Sequence, residues 1–187
     1  MEKTQNEYSL PISKSDFRVA FSDSRAHYGP LENAVDFPLP IGTEVLAARG
    51  GKVIAVKADS NEGGTSEKFS KEPNKYLNSI SIEHENGEIS EYAHLKYNGA
   101  KVKTGQYVDE GELIGYSGNT GLSSAPHLHF HVAKLDKNSR AGFKTLRIKF
   151  QRTDQDQYLC RRFYRRTKRV SRKFIKPTNS KQKAQRQ

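Results

Sequence analysis

The chain has 187 residues, 34% of them hydrophobic, and its 32 Lys/Arg against 21 Asp/Glu give a formal charge of +11. That length suits one domain plus an appendage and is enough to bury a real core. No apolar run approaches the ~18–20 residues of a bilayer-spanning helix, and the single cysteine, Cys160, excludes an intramolecular disulfide framework or a multi-thiolate metal site built by this chain alone.

The charge is unevenly placed. Residues 147–187 carry 15 Lys/Arg and 2 Asp/Glu, a net of +13, which leaves residues 1–146 with 17 and 19, a net of −2. This partition predicts a near-neutral domain over 1–150 and a basic segment over 151–187.

The opening stretch, MEKTQNEYSLPISKSDFRVAF, has no basic run followed by an apolar one, so no export signal is expected within it. Residues 17–135 read as short strands punctuated by glycines at 42, 50–51, 63–64, 87, 99, 105, 111, 115, 118 and 121. Such spacing predicts an all-β domain, an antiparallel sheet or sandwich. The brief apolar runs 45–48, 53–56 and 113–114 read as buried strands. The segment 59–75, nearly devoid of apolar residues, reads as an exposed loop.

Asn86-Gly87 suits a two-residue type I′ turn. That turn would pair His84 with Ile89, Ile82 with Glu91 and Ser79 with His94, placing Ser79, Ser81, Glu83, Tyr92 and His94 together on a polar face. Downstream, the run PHLHFH at 126–131 sets His127, His129 and His131 on one face of a strand and Leu128 and Phe130 on the other. Imidazoles concentrated on one strand face need partners, and a metal is the usual one. With one cysteine available, such a metal must be held by His and carboxylates, and His27 and Asp36 in AHYGPLENAVDFPLP offer both types.

The tail follows a different rule. Leu159, Phe163, Val170 and Phe174 fall on one helical stripe, with Arg161, Arg162, Arg165, Arg166, Lys168, Arg169, Arg172 and Lys173 around it. This predicts a basic amphipathic helix over roughly 155–175 and a disordered end from Pro177.

The runs HYGPLENAVDFPLPIGTEVLAARGGKV, IEHENGEISEYAHL and VKTGQYVDEGELIGYSGNTGLSSAPHLHFHV stand in the same order as in the lysostaphin-type, or LytM-like, zinc metallopeptidases, and the chain resembles that family over about residues 8–135. The resemblance implies the duplicated hybrid motif fold and hydrolysis of peptide bridges in bacterial peptidoglycan. It implies Zn2+ held by His27, Asp36 and His129, with His94 and His127 as catalytic histidines. A bound zinc polarises the scissile carbonyl and lowers the pKa of its water toward ~7. A neutral His94 or His127 then takes the proton, and the imidazolium stabilises the oxyanion or protonates the leaving amine.

On the face shared with His94, Tyr92 reads as a packing residue or an oxyanion donor. His131 stands where the family usually has an acidic residue, and reads either as a support to the zinc ligands or as a surface strand residue; His84 reads as structural. Asn33 stands where an aromatic is common.

The family's substrates imply a periplasmic or extracellular place in the bacterial envelope, where glycine bridges and D-alanine links are both cut. The basic segment suits an anionic wall polymer, a lipid surface or nucleic acid, or is a solvated extension; the resemblance favours the envelope. Two other classes compete. A catalytically inactive wall-binding or hydrolase-regulating domain would lack ligands, yet His27, Asp36, His94, His127 and His129 are all present. A nucleic-acid-binding protein would leave those histidines without a purpose.

Overall fold

The computed structural model describes residues 2–13, 15–16, 20 and 27–151. Its strands are β1 (Lys3–Tyr8), β2 (Val35–Pro38), β3 (Glu44–Leu46), β4 (Gly51–Lys57), β5 (Gly63–Gly64), β6 (Ser79–Glu83), β7 (Ile89–Ala93), β8 (Tyr107–Val108), β9 (Leu113–Tyr116), β10 (Gly121–Leu122), β11 (His127–Leu135), β12 (Phe143–Thr145) and β13 (Arg147–Phe150). Two short helices, α1 (Glu67–Lys71) and α2 (Pro73–Tyr76), lie between β5 and β6. The amphipathic helix expected over 155–175, the end from Pro177, and Cys160 lie outside the described residues.

A seven-stranded sheet runs β12-β11-β7-β6-β4-β8, with β2 also pairing β11, and each of its pairings is antiparallel. The long strand β11 organises it because its side chains alternate. Leu128, Phe130 and Val132 are fully buried on one face, and His127, His129 and His131 line the other. Phe37, Tyr92, Ile80, Ile82 and Val53 continue that apolar face across the neighbouring strands, and Val45 and Ile114 of the small β3-β9 sheet are buried with them. Each such side chain contributes about 1.5–3 kcal/mol by leaving water. The opposite face of the seven-stranded sheet is left for the site.

Two parallel pairings depart from the antiparallel rule. The first and last strands, β1 and β13, lie side by side in parallel. Buried Glu88 pins β1: its carboxylate accepts from the Gln5 and Asn6 backbone N–H groups and from the Tyr8 hydroxyl. Strand β5 pairs in parallel with β10, with Gly63 opposite Gly121 and Gly64 opposite Leu122.

The segment 59–75 is mostly exposed, as expected, but it is not a loop throughout. The segment contains β5, α1 and part of α2, because its lone large apolar residue, Phe69, buries itself against the backbone of Gly64 and the edge of the Tyr76 ring, 5.1 Å away. Gly63 permits the close approach, since a Cβ there would stand 1.8 Å from the Asn119 carbonyl oxygen.

The β6–β7 register is also corrected. The connection is a three-residue turn, Glu85–Gly87, in which Asn86 and Gly87 have left-handed φ of 63° and 67°. The pairs are Glu83 with Ile89, Ile82 with Ser90, Ser81 with Glu91, Ile80 with Tyr92 and Ser79 with Ala93, one residue away from a two-residue turn. Tyr92 therefore faces the core.

Candidate active site

Asp36 and His129 stand directly opposite each other in the β2–β11 ladder, so their side chains leave the same face side by side. His27 arrives from the segment before the Gly29–Leu31 turn, its side chain only 1% exposed. Its Nε2 lies 3.1 Å from Asp36 Oδ1, and His129 Nδ1 lies 3.0 Å from the same oxygen. One potential ligand atom from each of the three residues falls within 4.8 Å of the others. Two imidazole nitrogens and one carboxylate oxygen, partly shielded from water, form a donor set suited to Zn2+ with coordination positions to spare. Burial by itself raises the Asp36 carboxyl, yet the hydrogen bonds from His129 and His27 outweigh it and hold the group well below the usual carboxylate range.

Two further imidazoles flank this trio. His127 places Nε2 3.7 Å from Asp36 Oδ1, and its ring centroid is 4.5 Å from that of His94. His94 follows the end of β7 with φ of 61°, a left-handed conformation that turns its side chain away from the core direction taken by Tyr92. The tautomers are set by the backbone. His94 Nδ1 is 2.7 Å from the Thr120 carbonyl and His127 Nδ1 is 2.8 Å from the Ala125 carbonyl. A carbonyl only accepts, so each Nδ1 carries the proton and each Nε2 presents a lone pair. Burial, aided by neighbouring His127, pushes His94 down to about 3, so it is neutral near pH 7.

One segment, residues 119–125, thus orients both rings. Ser123 reinforces it, with Oγ 2.6 Å from Asn119 Oδ1 and 3.2 Å from His127 Nδ1. These holders were missed in the sequence because backbone carbonyls carry no residue signature. The serine had no metal or acid–base pattern to mark it.

The remaining sequence expectations divide. His131 is buried, with Nδ1 3.2 Å from His129 Nε2 and its ring stacked on Phe143, so it is not a surface strand residue. Tyr92 does not share the His94 face: its hydroxyl accepts the Ala48 N–H and lies 3.3 Å from the Ser90 hydroxyl inside the core. Burial pushes that phenol up to about 12. His84 is buried on the core side, its Nδ1–H donating to the Gly50 carbonyl and its Nε2 meeting the Ser90 hydroxyl. Asn33 bonds Thr145 through its backbone N–H and its amide, joining the segment before β2 to β12.

A family model described as peptidase family M23 matches residues 30–141. The chain belongs to peptidase family M23. The matched span begins after His27, so that residue's place beside Asp36 rests on the geometry. Lysostaphin of Staphylococcus simulans is 42% identical over 106 residues, which cover 56% of this chain and 17% of that protein. Peptidoglycan DD-endopeptidase ShyA of Vibrio cholerae is 35% identical over 100 residues, 54% of this chain and 20% of that one. A crystal structure of a zinc containing peptidase from Vibrio cholerae superposes with a TM-score of 0.50 at 29% identity, over 68% of this chain and 36% of that one. The M23 chain therefore corresponds to about a fifth of the length of these two curated relatives. Among its described residues no helix is long and apolar enough to cross a membrane.

Proposed function

We propose that this M23 chain is a zinc metalloendopeptidase that hydrolyses peptide cross-links or bridges of bacterial peptidoglycan. The observation that carries the reading is the convergence of His27, Asp36 and His129 beside two imidazoles whose Nε2 lone pairs are kept free. His27 Nε2, Asp36 Oδ1 and His129 Nδ1 would hold the ion. When bound, zinc supplies Lewis-acid polarisation of the scissile carbonyl and an acidified water.

The protein's own groups do the rest. His94 and His127 take up and return the proton, since imidazoles that keep Nε2 as the accepting nitrogen are suited to general base and then general acid work. Thr120 and Ala125 prevent either ring from flipping its proton onto Nε2. The lysostaphin and DD-endopeptidase relatives support a peptidoglycan substrate and an envelope location. The basic segment is proposed to retain the enzyme on an anionic wall polymer or lipid surface. Salt-sensitive binding to purified sacculi that disappears on deleting 151–187 supports that role, and binding that survives the deletion removes it.

The central test is incubation with purified sacculi of different bridge types, with zinc and with a chelator, followed by identification of the released fragments. Zinc-dependent release of cleaved peptide is the expected result. Folded, zinc-loaded protein that releases nothing from any bridge type would overturn the assignment.

A further inference from the structure

We propose that Glu91 and His131 form a relay that holds His129 in its metal-ligating tautomer, the carboxylate acting through an intervening imidazole. The inference rests on the metal reading of His27, Asp36 and His129, and adds two positioning residues to it.

The argument starts from proton bookkeeping. Without an ion His129 donates from Nδ1 to Asp36, so for Nδ1 to offer a lone pair to an ion instead, the ring proton must sit on Nε2. That Nε2 is 3.2 Å from His131 Nδ1. His131 Nδ1 must then be the acceptor, and the proton of His131 must sit on its own Nε2. The group facing this second N–H is the carboxylate of Glu91, whose Oε2 is 3.9 Å away. The separation is longer than a hydrogen bond but within reach of the N–H dipole, and the negative charge favours the proton on that nitrogen.

The backbone places the three groups in line. Glu91 is the register partner of His131 across the β7–β11 ladder, and His131 is two residues beyond His129 on the same face of β11. The ring of Phe143 lies face-on to His131, 6° from parallel at 5.9 Å between centroids, which restricts the imidazole to this plane. The His131 side chain is 6% exposed and that of Glu91 30%, and among the described residues no Lys or Arg forms an ion pair with Glu91. The carboxylate is thus left to act on the imidazole.

The arrangement has a chemical consequence. Ligating histidines commonly donate their second N–H directly to a carboxylate, carbonyl or water. In this chain a neutral imidazole occupies that position, and the negative charge stands one ring farther from the ion. The ligand's tautomer is fixed while its Nε2 meets an imidazole nitrogen and not a carboxylate.

The test measures zinc affinity of the full chain by chelator competition, with circular dichroism and a metal-free thermal midpoint to establish folding. His131→Leu, which removes the acceptor, should bind zinc about 10–100-fold more weakly, whereas His131→Gln, which keeps one, should stay within a few-fold of the parent. Glu91→Gln should weaken binding several-fold in the parent and not at all in the His131→Leu background, because the relay passes through the imidazole. Parent-like affinity of folded His131→Leu, or an equal Glu91→Gln effect in both backgrounds, would overturn the relay. A parent chain that binds no zinc overturns the metal reading itself, which separates the two failures.

Discussion

The two sides of the site are built by different means. On one side, Asp36 and His129 are positioned by the register of a β-ladder, each side chain aimed by its strand. On the other, His94 sits in a left-handed turn past a strand end and His127 opens β11 opposite Pro38, and the ring of each is oriented by a carbonyl of the 119–125 segment. A ladder tolerates little motion, because a one-residue slip would turn every side chain to the opposite face. A loop can be displaced without unmaking the sheet. Metal affinity and turnover should therefore be separable by mutation.

The largest effect is expected on the ladder side. His129→Ala should lose zinc, and with it activity by more than about 10^3-fold, because the metal supplies several kcal/mol of transition-state stabilisation. Measured metal content and fragment release should fall together; retention of both would remove His129 from the ligand set. Next come His94→Ala and His127→Ala, which should keep zinc and lose about 10^2–10^4-fold in turnover. Parent-like turnover in either variant would strip that residue of its role, and loss of zinc would merge the two sides.

The loop can be attacked without touching either histidine. Gly63→Ala drives a Cβ into the Asn119 carbonyl and should push the 119–125 segment off its partners. Turnover should fall more steeply than zinc affinity. Ser123→Ala is the milder version, removing one hydroxyl beside His127, and should cost about 2–10-fold in turnover, as expected for one hydrogen bond of roughly 0.5–1.5 kcal/mol. Equal losses of metal and turnover in both variants would show that the segment supports the whole site.

The smallest effect belongs to His84, the imidazole on the core face of the same sheet. Burial lowers its folded-state pKa, so the unfolded chain takes up the proton first as pH falls. Its contribution is intact above the unfolded value near 6.5 and erodes as pH drops from there toward the folded value. His84→Gln should keep zinc and turnover, and the stability gap between parent and variant should shift against the parent below that pH. Denaturant midpoints across pH 5–8 measure it, and a gap independent of pH would contradict the sign.

How far the sequence revealed all this follows the same division. The alternation in PHLHFH gave the correct faces of β11, because a period of two is a local property of the backbone. The pairing of Asp36 with His129 was not readable, since it depends on how two distant strands meet. His94 was expected on the site side for the wrong reason: the turn at Asn86-Gly87 holds three residues, and only a positive φ at His94 brings the ring round. That same register moved Tyr92 into the core. The low apolar count of 59–75 concealed Phe69, which is buried where the segment pairs with β10 beside residues 119–125.

The spacing of the three proposed ligands along the chain carries its own consequence. Asp36 follows His27 by 9 residues and precedes His129 by 93. An ion held by all three ties these distant positions together only in the folded chain, and so stabilises by binding that state alone. At a free concentration a thousand times its dissociation constant it would add about 4 kcal/mol to folding stability. For this chain, metal affinity and resistance to unfolding become linked quantities.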